Sequence, residues 1–255
     1  MTGKCSSDWL PALTPNPRVK LRLFCFPYAG GADYIFSGWR KMLPETIEVC
    51  PVRLPGRAQR MQEEPFTNLP ALVRAASSSL GSHLDKPFAL FGHSMGALVC
   101  FELARQLRRD YSVRPAHLFV SACRSPQTAT DDSPDQDLSE DDLMAMLRRP
   151  DGLPNGAAED DELIDMLLPC LRADIAICRT YVYSPGPPLD CPITAFGGLQ
   201  DHKISRDSLE GWREHTALSF HLRVLPGDHY FLHTSQLLLL RSITLDLSRH
   251  TACAG

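Results

Sequence analysis

The stretch Phe88-Ala89-Leu90-Phe91-Gly92-His93-Ser94-Met95-Gly96-Ala97-Leu98 joins a short apolar, β-prone run to a Gly-x-Ser-x-Gly pentapeptide that opens directly into a helix-like segment. A serine at such a strand-turn-helix junction sits on a strained turn that lifts its hydroxyl above the end of the strand. Glycines flank it because side chains there would collide with neighbouring backbone. The pentapeptide alone recurs by chance; its flanks make it specific. A plainer reading, a serine N-cap with glycines that only ease strand-to-helix packing, competes with it. On the first reading Ser94 is a candidate nucleophile.

On either side of this stretch, apolar β-like runs recur at Leu21 to Phe26, Ile47 to Leu54, Leu118 to Ser121, Ile193 to Phe196 and Phe220 to Leu225. Between them Thr67 to Leu84, Gly96 to Arg109, Ser205 to Glu214 and Ser235 to Leu247 place apolar residues at helical spacing. This alternation predicts an α/β fold: a mostly parallel central sheet with helices on both faces. The 255 residues are expected to form a single domain. The stretch from about 124 to 188 breaks the rhythm, with a polar acidic loop followed by helix-like segments at Leu138 to Leu147 and Glu162 to Tyr183. It is too long for a plain connection and is expected to form a helical lid insertion. Its Leu163, Ile164, Met166, Leu167, Leu168, Leu171, Ile175 and Ile177 need something to cover, either the sheet edge or an acyl chain.

Composition narrows the class. Hydrophobic residues make up 44% and charged residues 22%, as in ordinary globular proteins, and a net charge of −4 argues against a nucleic-acid partner. No apolar run approaches the ~20 residues of a membrane-spanning helix, and the start MTGKCSSDWLPALTP carries no export-signal pattern, so no membrane association and a cytoplasmic location are expected. Nine cysteines without a C-x-x-C pair read as reduced thiols, Cys25, Cys100 and Cys191 as buried ones. No Cys/His spacing suits zinc, so neither a metal nor another cofactor is expected.

The partners of Ser94 follow from position. In α/β-hydrolases the chain order is serine, acid, histidine, the last two on loops after late strands. Pro226-Gly227-Asp228-His229-Tyr230 follows the last β-like run, which makes His229 the base, with His202 as a spare. Gly197-Gly198-Leu199-Gln200-Asp201 follows the preceding run, which makes Asp201 the acid that holds the imidazole tautomer. Asp228 lies too close to His229 in sequence and reads as turn chemistry; Asp190 precedes its strand and falls at the wrong end of the sheet. His93, beside Ser94 on a tight turn, is expected to point away from the hydroxyl and to position neighbours. The backbone N–H of Met95, opening a helix, is one oxyanion donor. The second comes from Pro27-Tyr28-Ala29-Gly30-Gly31, through the amide of Ala29 or Tyr28.

Five motifs in one register, PYAGG at 27–31, Arg53-Leu54-Pro55-Gly56-Arg57, GHSMG at 92–96, GGLQD at 197–201 and LPGDHYFL at 225–232, resemble the type II thioesterase family from about Leu21 to Leu240. Two positions depart from that family's pattern: His202 stands where proline is usual, and Asp228 where a second glycine is common. Arg53 and Arg57 look typical of the family and are expected to pin their loop. The resemblance implies a stand-alone serine thioesterase that removes acyl groups from the phosphopantetheine arm of acyl or peptidyl carrier proteins in polyketide, nonribosomal peptide or fatty acid synthesis. Ser94, His229 and Asp201 would form its triad, and Ala29 and Met95 its oxyanion hole. The phosphopantetheine would belong to the carrier, and a monomer is expected. Arg105, Arg108, Arg109, Arg148 and Arg149 are available as a basic rim for an acidic carrier, against the plainer reading that each is a charge on a solvated face. Rival readings are an esterase, lipase or acyltransferase with the same triad, or a catalytically idle acyl-binding or scaffold module.

Overall fold

A computed structural model describes residues 8–13, 16–128, 138–149 and 159–252. Six strands, β1 (Leu21–Phe26), β2 (Ile47–Pro51), β3 (Phe88–His93), β4 (His117–Ser121), β5 (Ile193–Gly198) and β6 (Phe220–Leu225), form one parallel sheet in the order β2-β1-β3-β4-β5-β6. The helices are α1 (Trp39–Met42), α2 (Leu69–Leu80), α3 (Met95–Tyr111), α4 (Glu140–Leu147), α5 (Asp161–Arg179), α6 (Arg206–Glu210), α7 (Phe231–Thr234) and α8 (Gln236–Ala252).

The central strands β3, β4 and β5 are buried along nearly their whole length, so the sheet must be covered twice. Phe24, Phe26, Leu90, Leu118, Val120 and Ile193 pack with α2 and α3 in one cluster. Leu21, Leu23, Cys25, Phe91, Phe119 and Phe196 pack with α1 and α8 in another. The expected architecture of helices on both faces is therefore present. From β1 the chain moves outward to β2 and then returns across β1 to β3, so the winding direction reverses between β1 and β3. Open α/β sheets bind ligands outside the carboxyl ends of their strands at such a point. Ser94 directly follows β3, and Pro27 directly follows β1.

Several boundaries differ from the sequence expectation. The apolar run 47–54 leaves the sheet after Pro51, which has no N–H for the ladder. Residues 205–214 divide into α6 and a tighter turn at Gly211–His215. The short elements Asp33–Phe36 and α1, too brief for periodicity to reveal, bury Phe36 and Trp39 against Phe91.

Between β4 and β5 lie α4 and α5; residues 129–137 and 150–158, which hold most of the acidic loop, are outside the described residues. A reciprocal cap between Ser139 and Asp142 starts α4, and Asp160 accepts from the Leu163 amide to start α5. Leu143, Leu147, Ile164, Leu167, Leu171 and Ile175 form a third cluster of their own, with Ala29, Tyr34 and Met61 packed against it. Burying each contributes about 2 kcal/mol. These side chains thus cover one another and the loop after β1, while Met166 is exposed.

Candidate active site

Ser94 has φ 53° and ψ −118°, a left-handed region that a side chain disfavours. The flanking glycines explain how the turn exists. A Cβ on Gly92 would lie 2.0 Å from the Gly96 carbonyl oxygen, and one on Gly96 would lie 2.4 Å from the oxygen of Phe26 and 2.7 Å from that of Pro27. Gly96 therefore lets the start of α3 press directly on the backbone where β1 ends.

Across the carboxyl edge of the sheet, His229 Nε2 lies 3.2 Å from Ser94 Oγ, and His229 Nδ1 lies 2.8 Å from Asp201 Oδ2. Because a carboxylate only accepts, Nδ1 carries the proton and the Nε2 lone pair faces the serine hydroxyl. Burial raises the Asp201 carboxyl, but the hydrogen bond and charge of His229 and the amides of Lys203 and Ile204 outweigh it and hold it below the usual aspartate value. Its side chain is 1% exposed and that of His229 13%. Asp201 therefore stays a carboxylate.

The two loops that carry this pair are tied together. Leu199 N–H donates to Leu225 O, Gln200 N–H to Gly227 O, and Gly227 N–H to Gln200 Oε1. A Cβ on Gly198 would sit 2.4 Å from Asp228 O, so the close approach depends on that glycine. Asp228 Oδ1 accepts from the Tyr230 amide at 2.8 Å, closing a local turn, and Asp228 is exposed. His202 is exposed, and Asp190 pairs with Arg108 instead.

His93 is fully buried and points away from Ser94. Its Nε2 donates to the His229 carbonyl at 2.8 Å, which leaves Nδ1 to accept from the Ser121 hydroxyl at 2.9 Å. Burial, reinforced by the neighbouring His229, pushes its pKa well below the ordinary histidine value, so it remains neutral. Cys123 is buried as well; burial raises its thiol to about 12, and it forms no disulfide.

In the loop after β1, Gly30 N–H donates to Asp174 Oδ2 at 2.8 Å and Gly31 N–H to Tyr28 O at 2.9 Å. Those two amides are engaged within the protein, so neither is open to an oxyanion. Met95 is the first residue of α3, so its N–H has no carbonyl four residues back to bond within the helix. Arg57, expected to pin its loop, makes a two-pronged ion pair with Asp174 at 2.7 and 2.8 Å. Burial lowers its guanidinium, but Asp174 more than offsets that and raises it above the usual arginine value. Arg53 pairs with Asp33.

Sequence reasoning missed Asp174, Ser121 and Gln200. Asp174 carried a signal: it stands on the apolar stripe Leu167, Leu171, Asp174, Ile177 of a helix, where a carboxylate needs a partner. The structure separates the five arginines considered for a basic rim. Arg105 is buried against Glu102 and the Ser184 carbonyl, and Arg108 and Arg109 lie about 20 Å along α3 from Met95. Arg149 alone of that set reaches the site, 3.6 Å over the Tyr230 ring and 3.3 Å from Asp228. Among the described residues no group of three His, Cys, Asp or Glu could hold a metal, and no helix is long and apolar enough to cross a membrane.

The family model described as thioesterase domain matches residues 21–244. The chain is 43% identical to the gramicidin S biosynthesis protein GrsT of Aneurinibacillus migulanus, over 90% of each chain. Among solved structures, the RedJ thioesterase from the prodiginine biosynthetic pathway in Streptomyces coelicolor aligns with a TM-score of 0.83 at 42% identity, covering 93% of this chain and 90% of that one. The type II thioesterase BorB from the borrelidin biosynthetic cluster aligns with a TM-score of 0.84 at 33% identity, covering 96% and 100%.

Proposed function

The chain belongs to the thioesterase family and is a thioester hydrolase, and from that premise we propose that Ser94, His229 and Asp201 act as its triad on acyl groups carried by the phosphopantetheine arm of carrier proteins. The observation that carries this reading is the continuous relay from Asp201 Oδ2 through the His229 ring to Ser94 Oγ. Its orientation suits proton removal from the serine. The biosynthetic pathways named for GrsT, RedJ and BorB support a biosynthetic setting, which we read as nonribosomal peptide or polyketide synthesis.

Ser94 Oγ attacks the thioester carbonyl as His229 Nε2 takes its proton. The carbonyl oxygen becomes an oxyanion that the amides of Met95 and Ala29 stabilise. Collapse breaks the carbon–sulfur bond, and the proton on His229 goes to the leaving thiolate. Water, deprotonated by the same nitrogen, then attacks the acyl-serine carbonyl; the bond from the acyl carbon to Ser94 Oγ breaks, His229 returns the proton to Oγ, and the free acid leaves. Asp201 keeps the tautomer and stabilises the imidazolium without accepting the proton. The helices α4 and α5 serve as a lid, since their apolar cluster ends on the loop that holds Ala29.

The test is hydrolysis of an acyl-carrier-protein thioester by the wild-type protein and by Ser94→Ala, followed as free acid. Turnover by the wild type alone is expected. No turnover by the wild type, with hydrolysis of oxygen esters instead, would overturn the substrate assignment.

A further inference from the structure

We propose that Asp174, acting through Arg57, is a positioning residue for the oxyanion loop, so that the helix covering the site sets the alignment of the Ala29 amide. The inference rests on the catalytic reading above and concerns what holds one part of that site in place.

Asp174 lies in the middle of α5 with its side chain 1% exposed, and Arg57, after β2, is 4% exposed. Both carboxylate oxygens are engaged. Oδ1 accepts from Arg57 Nη2, while Oδ2 accepts from Arg57 Nη1 and from the Gly30 amide. Arg57 Nη1 also donates to the Gly31 carbonyl at 3.1 Å. Carboxylate and guanidinium thus hold the Gly30-Gly31 segment at an N–H and at a carbonyl.

The consequence for Ala29 is geometric. The Gly30 N–H shares its peptide plane with the Ala29 carbonyl, so fixing that N–H leaves only the two backbone torsions of Ala29 to orient its own amide. Gly30 has φ +77°, a conformation glycine adopts without strain. A Cβ there would lie 3.2 Å from Leu171 Cδ1 of α5 and 3.5 Å from Leu147 Cδ2 of α4, so the loop is also seated against both helices. A movement of α5 would carry Asp174, and with it the peptide next to the proposed oxyanion donor.

A stability role alone makes a different forecast. Replacing a buried ion pair by well-packed apolar residues is often neutral or stabilising. The double substitution Arg57→Met with Asp174→Leu removes the clamp without leaving a buried unpaired charge. It should keep the wild-type melting temperature to within a few degrees, leave KM for a small acyl thioester nearly unchanged, and lower kcat by about 100-fold, the size of effect a small misplacement of catalytic groups produces. Affinity for an acyl trifluoromethyl ketone, whose adduct with Ser94 places an oxyanion in the same hole, should fall by a similar factor. Asp174→Asn, which retains an acceptor for Gly30, should fall less far than the double variant.

A folded double variant with wild-type kcat and analogue affinity would overturn the proposal. Should the variants fail to fold, amide exchange in the wild-type protein decides: Gly30 is expected to exchange as slowly as the centre of α5, and fast exchange there would refute the clamp. An inactive wild-type protein would instead count against the catalytic reading itself.

Discussion

The ring of His93 donates from Nε2 to the main-chain carbonyl of His229 at 2.8 Å, so the residue before the proposed nucleophile holds the backbone of the proposed base. The pentapeptide therefore contributes twice to the site, once through Ser94 and once through its neighbour. His93→Leu strips a partner from two buried acceptor or donor groups, the His229 carbonyl and the Ser121 hydroxyl, which should cost about 1–3 kcal/mol. It should also release the His229 loop and lower kcat by ten-fold or more with KM little changed. His93→Gln, which can both donate and accept, should recover part of both losses. Thermal unfolding and steady-state thioester hydrolysis read the two effects, and a His93→Leu protein with full kcat would end the positioning argument.

Gly198 makes a second forecast with a built-in control. Any side chain there meets Asp228 O at 2.4 Å and Gly227 O at 2.6 Å, both backbone atoms that cannot swing aside. Gly198→Ala should separate the Asp201 loop from the His229 loop, stretch the 2.8 Å contact between Nδ1 and Oδ2, and reduce kcat at least ten-fold. Gly38 meets nothing closer than 3.8 Å, so Gly38→Ala should be close to neutral in both activity and melting temperature.

His117 should make stability depend on mildly acid pH. It is buried at the start of β4, stacked on Phe119, with Nε2 donating to Thr194 Oγ1, which in turn donates to Asp246. Burial lowers its pKa to about 4, only partly opposed by the charge of Asp246. The unfolded chain takes up that proton near pH 6.5 and the folded chain only near pH 4, so the unfolded state binds more protons in between and stability falls as the pH falls through that window. At pH 4.5 the loss relative to neutral pH is about 2 kcal/mol from this residue. Denaturant titrations at pH 7 and pH 4.5 should show the drop, and it should be smaller by that amount in His117→Gln; an equal drop in both proteins would show that His117 is not its source.

The elements that sequence made legible are those with a period or a motif. Six β-like runs became six strands, and the turns after β3, β5 and β6 delivered Ser94, Asp201 and His229 to one edge because the sheet is parallel and all three strands end there. Contacts between distant loops were not legible. Nothing in the local pattern at Gln200 announces a hydrogen bond to Gly227, and Ser121 looks like an ordinary strand end until β4 is laid beside β3. Asp174 lay between these cases: its place on an apolar helical stripe called for a partner, but only the fold brings Arg57 to it from more than a hundred residues away. Which of the five arginines approaches the site was not legible either, because spacing reveals a polar face without saying which end of the sheet it reaches.

Of the two arginines that end the α4 segment, the geometry suits Arg148 and not Arg149 to a test of carrier recognition. Arg149 stacks on Tyr230, the residue after His229, so Arg149→Glu would both reverse a charge and place a carboxylate beside Asp228. It should impair small and carrier-bound substrates alike. Arg148 points instead to Asp161 at the start of α5, away from the relay, with its side chain 38% exposed. An acidic carrier approaching the α4 side would meet that charge, and a reversed rim charge acts mainly on encounter and on its salt dependence. Arg148→Glu should therefore raise KM for an acyl-carrier-protein thioester several-fold at low ionic strength, lose most of that effect in high salt, and leave hydrolysis of an acyl N-acetylcysteamine thioester unchanged. Equal loss on both substrates would place Arg148 in the fold rather than at the docking face.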